Sequence, residues 1–295
     1  MLTLFTIPKA FSGHAGIIQD NAIGSWTRLG SGCEVILFGD DPGVAEAAAR
    51  HGARHLPELQ RNSLGTPTLV DVFARADAVA RNPILCFVNS DIVLFKDVVA
   101  ATRMVAGCFL MVSSRYNCRI TGPLSFGPDW DRDLRARALD EARMYPAGGS
   151  DFFIYPRGLF GSIPPFAIGR GYWDNWLMLR ARQRGARLIN ATDAVVALHQ
   201  EHDYAHIVGV PAHAADGAFP LHTTQETERN LILAGGHGRL YTLYDATEIL
   251  TGDGRLVSTL RPTLFRRRAK AWLRRKIAGT AQHAFRRSRK HDTTA

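Results

Sequence analysis

Short solid apolar runs alternate along the chain with stretches in which apolar residues recur every third or fourth place. Leu2-Thr3-Leu4-Phe5-Thr6-Ile7, Glu34 to Gly39 and Ile84 to Val88 are runs of strand length, each bounded by Pro, Gly, Asn or Asp, and are predicted as buried strands. Between them, Ile17 to Leu29, Val44 to His51 and Leu69 to Ala80 carry helical spacing; Thr66-Pro67 supplies a start for the last. Later runs at Phe152–Tyr155 and Ala194–Leu198 read as strands, and a helical pattern opens at Trp176.

Strands alternating with helices predict an α/β fold, a mostly parallel sheet with helices on both faces. In such sheets ligands bind beyond the carboxyl ends of the strands. That rule singles out Pro8-Lys9, Asp40-Asp41 and Asn89-Ser90-Asp91, each following a predicted strand.

Composition confines this picture to a globular chain. Of 295 residues, 46% are hydrophobic and 21% charged, enough apolar material to bury a core and exclude wholesale disorder. The net charge of +9 is not evenly spread: residues 261–295 hold 12 Lys or Arg against one acid, Asp292, a local +11 that leaves −2 for residues 1–260. We therefore expect a folded domain over residues 1–250 and a basic amphipathic C-terminal extension over 251–295. Cys33, Cys86, Cys108 and Cys118 show no C-x-x-C spacing and read as reduced thiols. No secretory leader or membrane-spanning run is recognised, and a cytoplasmic protein is expected, peripheral on the inner face of the membrane if the tail binds lipid.

Four segments could carry chemistry. Asn89-Ser90-Asp91 lies between two apolar runs, so its polar groups sit at a strand end; Asp91 could ligate a hard divalent cation, or the segment could be a plain Asx turn. Gly148-Gly149, ahead of Ser150-Asp151, allows close approach of backbone to a ligand and equally suits a tight turn. Asp174, flanked by Trp173 and Trp176 where a helix begins, is either a helix cap, as Asn175 could be, or a general base positioned by the helix and tuned by apolar rings. His199, His202 and His206 follow an apolar strand. They lack a zinc-site pattern, which leaves His199 as a partner for Asp91 on one metal and His202 and His206 as ordinary core or surface residues.

In this order along the chain, the segments resemble the GT-A-fold, nucleotide-sugar-dependent glycosyltransferases. Asn89-Ser90-Asp91 is similar to the family's metal-binding D-x-D, Gly148-Gly149 to its glycine loop, Trp173-Asp174-Asn175 to its x-E-D segment and His199 to its late metal-binding histidine. The resemblance covers about residues 2–206 and departs twice, with Asn89 for the first acid of D-x-D and Trp173 for the acid before Asp174. It implies sugar transfer from a nucleotide-diphosphate sugar to a hydroxyl on a glycan or lipid-linked glycan. Mn²⁺ or Mg²⁺ would sit on Asp91 and His199, and Asp174 would be the base of an inverting reaction. Thr6, Pro8, Lys9 and Asp40 would contact the nucleoside, Asn89, Ser90, Gly148 and Gly149 would line the donor site, and Asp151 and Arg170 would meet a sugar. A sugar-phosphate nucleotidyltransferase is the rival enzyme, although the loop after the first strand, Pro8 to His14, has no glycine run; a non-catalytic nucleotide-sugar or glycan-binding module is the other alternative.

The tail mixes its basic residues with Leu264, Phe265, Trp272, Leu273 and Ile277, the composition of an interfacial helix. An anionic membrane surface is the partner expected for residues 261–290, a solvated basic tail being the alternative. No nucleic-acid-binding signature accompanies the charge.

Overall fold

The computed structural model describes residues 1–145, 150–202 and 224–259, all within a compact unit spanning Met1–Thr259. Gly148, Gly149, His206 and the basic tail lie outside the described residues.

The expected strands form as β1 (Leu2–Thr6), β2 (Glu34–Phe38) and β4 (Ile84–Val88), with α1 (Gly13–Trp26), α2 (Val44–His51), β3 (Arg54–Leu56) and α3 (Val72–Val79) between them. β5 (Ile92–Leu94), α4 (Asp97–Arg103), β6 (Phe109–Val112), β7 (Tyr116–Cys118), α5 (Trp130–Glu141) and β8 (Arg143–Met144) follow. Then come β9 (Phe152–Pro156), α6 (Trp173–Gln183), β10 (Arg187–Asn190), β11 (Ala197–Gln200), α7 (Gln225–Leu233), β12 (Glu248–Leu250) and β13 (Leu256–Ser258).

Nine strands make the main sheet in the order β13-β12-β10-β6-β9-β4-β1-β2-β3. It is mostly parallel, as expected; β9 runs antiparallel to both neighbours and β13 antiparallel to β12. The sheet thus continues to Ser258, past the domain edge expected at 250. A second sheet, β5-β11-β7-β8, was not anticipated. The apolar runs at 92–95 and 194–198 look like further strands of one sheet, but they pair with each other, antiparallel, away from it.

Period-two alternation explains the layers. Leu2 and Leu4 of β1, with Cys86 and Val88 of β4, pack with α1, α2 and α4 residues such as Trp26, Ala47 and Val98; Phe5, Leu85 and Phe87 pack on the opposite face with Phe73 of α3 and Leu177 of α6. Helices therefore cover both faces. A third cluster, Val93, Phe95, Trp130, Val196 and Leu198, joins the small sheet to α5.

Helix boundaries differ from expectation in three helices: α3 starts at Val72 with Asp71 at its N-cap and not from Thr66-Pro67, and α1 and α6 also depart from the pattern. α1 begins at Gly13, before the first periodic apolar residue, and ends at Trp26; its buried side includes Gln19, Asn21 and Ser25, polar residues that a hydrophobic pattern cannot register. α6 begins at Trp173, preceded by Tyr172 at φ 80°, the sole non-glycine residue in the left-handed region among the described residues. Among the described residues no helix is long and apolar enough to cross a membrane.

Candidate active site at the carboxyl edge of the sheet

Because β1, β2 and β4 are mutually parallel, the residues after them emerge at one edge. β9 enters there from the opposite direction: Val88 pairs with Phe152, so Asp151 lies beside Asn89. Ile92 of β5 pairs directly with His199 of β11, which brings His199 to the same edge from a strand separated by more than a hundred residues.

There Asp91, His199 and His202 converge, with one ligand atom from each lying within 4.8 Å of the others. Asp91 Oδ2 is 3.1 Å from His202 Nε2 and 3.6 Å from His199 Nε2. His202 was expected to be an ordinary core or surface residue; in the structure it touches Asp91 more closely than His199 does. His199 belongs to strand β11 and His202 follows two residues after its end. Burial alone would raise the Asp91 pKa, but the imidazoles of His199 and His202 hold the carboxyl well below its usual range.

The turn bearing Asp91 is tightly held. Its carbonyl accepts from the backbone N–H and Nε2 of Gln200, both at 3.2 Å, and Ser90 Oγ donates to Gln19 Oε1 at 3.0 Å. Gln19 also grips the loop after β1, accepting from the Lys9 N–H at 2.7 Å and donating to the Lys9 carbonyl at 3.1 Å. Against this saturation, Asp91 Oδ1 and His199 Nδ1 are buried without a hydrogen-bond partner. Buried polar atoms without partners cost free energy, and a carboxylate with two imidazoles is a donor set that divalent metals accept, so these residues fit a cation.

Beside this cluster Asp151 is engaged at both oxygens. Asn89 Nδ2 donates to Oδ1 at 2.8 Å and Arg115 Nη1 to Oδ2 at 2.9 Å, while the Asn89 N–H donates to the Asp151 carbonyl at 2.9 Å. Arg115 is itself oriented, donating through Nε to Asn117 Oδ1 at 3.1 Å and lying 4.5 Å over the Tyr145 ring.

Asp174 occupies the first turn of α6, and neither it nor Asn175 is the cap that a structural reading would make of them. The N-cap position belongs to Tyr172, and Asn175 Nδ2 donates instead to the Tyr241 carbonyl at 2.6 Å. Burial pushes the Asp174 carboxyl up to about 7; the charge of Asp151 pushes the same way and backbone N–H groups of the first turn oppose. Of its flanking indoles, Trp173 is core, packing edge-on to Phe87 at 5.4 Å and against Phe153 at 5.3 Å, and Trp176 is half-buried, 5.5 Å from Phe166. The helix start is fixed from α7. Asn230, fully buried, donates to the carbonyls of Ala167 and Gly171 and accepts from the Ala167 N–H at 3.0 Å.

The remaining expected residues are spread around this edge. Thr6 and Pro8 are buried and Lys9 is exposed. Asp40 is exposed beside Asp41, and the Arg61 guanidinium, 2.9 Å from Asp40 and 3.0 Å from Asp41, lowers the Asp40 pKa. Arg170 is ion-paired with Glu226 at 2.8 Å, and Glu226 also accepts from Asn62 Nδ2 at 2.6 Å. The hydrophobic pattern does not single out Gln19, Gln200, Arg115 or Asn230, and it leaves His202 an ordinary residue. Polar residues inside apolar helical or strand patterns were the signal for Gln19 and Gln200; His202 needed the pairing of β5 with β11.

No family model and no curated protein matches the chain. Solved structures resembling it include the mannosyltransferase PcManGT from Pyrobaculum calidifontis in complex with GDP-Man and Mn²⁺, at 16% identity and TM-score 0.41, covering 67% of this chain and 56% of that one. S. aureus TarS 1–349 in complex with UDP-GlcNAc is 13% identical at TM-score 0.45, with 71% of this chain and 62% of that chain covered. M. tuberculosis glucosyl-3-phosphoglycerate synthase is 18% identical at TM-score 0.44, with 80% and 81% covered.

Proposed function

We propose that the chain is a glycosyltransferase that moves a sugar from a nucleotide-diphosphate sugar to a hydroxyl on a glycan or lipid-linked glycan, assisted by Mn²⁺ or Mg²⁺. The observation that carries this reading is the meeting of Asp91, His199 and His202 at the carboxyl edge of the sheet, with Asp91 Oδ1 and His199 Nδ1 buried and unpartnered. These three side chains would hold the cation, whose positive charge neutralises a diphosphate leaving group. Asp174, held on a helix and with a carboxyl whose pKa lies near neutrality, takes the proton from the acceptor hydroxyl as it attacks the anomeric carbon, with inversion. Thr6, Pro8, Lys9 and Asp40 meet the nucleoside; Ser90, Gly148 and Gly149 line the donor site; Asp151 and Arg170 face sugar. Residues 261–290 attach the enzyme to an anionic membrane surface.

A thermal-shift screen of nucleotide sugars with and without Mn²⁺ tests the reading, because a ligand that binds only the folded state raises its Tm. One nucleotide sugar should stabilise the protein only when Mn²⁺ is present, and that donor should then be turned over to free nucleoside diphosphate. Release of pyrophosphate from a nucleoside triphosphate and a sugar phosphate would identify a nucleotidyltransferase instead. No metal-dependent shift with any nucleotide sugar would sink the proposal.

A further inference from the structure

Position 89 carries an amide where the D-x-D resemblance leads one to expect an acid. The structure supplies a local reason: Asn89 Nδ2 lies 2.8 Å from Asp151 Oδ1, and an ionised carboxylate only accepts, so the group facing it must donate. The contact is nearly dry, Asp151 being 7% exposed, and its other oxygen is taken by Arg115 at 2.9 Å. Backbone follows side chain, because the Asn89 N–H donates to the Asp151 carbonyl at 2.9 Å where β4 ends and β9 begins.

We propose that Asn89 is a positioning residue that docks Asp151 against the end of β4, and that the negative charge lacking at position 89 is carried by Asp151 in the grip of Arg115. An acid at 89 would then not add a metal ligand. It would set two carboxylates against each other at hydrogen-bond distance, with the one guanidinium, Arg115, on the other oxygen of Asp151, a like-charge contact in a poorly solvated place. The inference rests on the proposed metal site for only one of its two measurements.

The experiment is a charge swap across the pair, in the full-length chain: Asn89→Asp, Asp151→Asn, and the double variant in which the amide and the carboxylate exchange places. A direct contact makes the two substitutions non-additive. Asn89→Asp should lower Tm by about 5 °C or more at pH 8, and the double variant should recover at least half of that loss. Titration of Mn²⁺ by electron paramagnetic resonance should give Asn89→Asp an affinity no tighter than that of the unsubstituted protein. Additive Tm changes, or an Asn89→Asp protein that keeps its Tm, would overturn the docking role; tighter Mn²⁺ binding by that variant would show that position 89 faces the metal. Should Asn89→Asp fail to fold, a folded double variant supports the pairing and an unfolded one overturns it. If the unsubstituted protein binds no Mn²⁺, the metal-assisted reading fails, while the Tm cycle still decides the role of Asn89.

Discussion

The Asp91 carboxylate and the His199 imidazole lie 3.6 Å apart because the residue next to Asp91 in sequence, Ile92, is the direct cross-strand partner of His199. Register thus fixes the pair: a slip of one residue between β5 and β11 would turn His199 to the other face of the small sheet. His202, two residues beyond β11, closes on the same carboxylate oxygen at 3.1 Å.

If all three side chains bind one cation, His199→Ala and His202→Ala should each weaken Mn²⁺ binding by about tenfold or more, measured by isothermal titration calorimetry. The softer imidazoles should also favour Mn²⁺ over Mg²⁺. Unchanged Mn²⁺ affinity in His202→Ala would leave Asp91 and His199 as the only protein ligands of the three.

Asp174→Asn keeps the size of the side chain and removes its proton acceptor. Donor binding should persist while transfer falls by about 10²–10⁴-fold, the usual worth of a general base. Asn keeps an oxygen that can accept from the first-turn N–H groups facing Asp174, so loss of those hydrogen bonds does not account for such an effect. Near-normal turnover would remove Asp174 from the mechanism and the inverting assignment with it.

Stability should report the same carboxyl. The folded-state pKa of Asp174, about 7, lies above its ordinary value of 3.8, so the neutral form is favoured by folding. That contribution is complete below about pH 4 and is lost as pH rises toward and through 7, amounting to at most about 4 kcal/mol by linkage. Asp174→Asn should therefore match the unsubstituted protein in Tm near pH 4 and exceed it at pH 8. A difference in Tm that does not vary between these pH values would show that Asp174 is solvated.

Asn230 anchors the segment that leads into α6. Asn230→Ala would leave the carbonyls of Ala167 and Gly171 and the Ala167 N–H without their side-chain partner in a fully buried place, at a cost of about 3 kcal/mol or roughly 10 °C in Tm. A loss below about 2 °C would mean that other groups hold the Gly171–Tyr172 turn.

For the basic tail, the prediction concerns attachment. The full chain should sediment with phosphatidylserine vesicles at moderate salt, and a chain ending at Thr259, the last residue of the compact unit, should remain folded and not do so. Equal sedimentation of both proteins would remove residues 261–290 from the membrane role.

Local order was legible in the chain wherever burial and periodicity agree. β1, β2, α2 and β4 lie where the apolar runs put them, and the parallel alternation of strand and helix predicts that Lys9, Asp40 and Asp91 emerge at one sheet edge, since this follows from strand direction alone. The identity of Asp91, His199 and Asp174 as candidates likewise needed only their placement beside apolar runs. Three-dimensional pairing decided the rest. That β9 runs antiparallel, setting Asp151 beside Asn89, and that β5 pairs with β11 in a separate sheet, drawing His202 to Asp91, depend on contacts between segments 62 and 111 residues apart. A hydrophobic pattern records how deeply a residue is buried and not which strand it is buried against. Partners, and with them the charges that set each carboxyl's proton affinity, therefore become defined only when the sheets close.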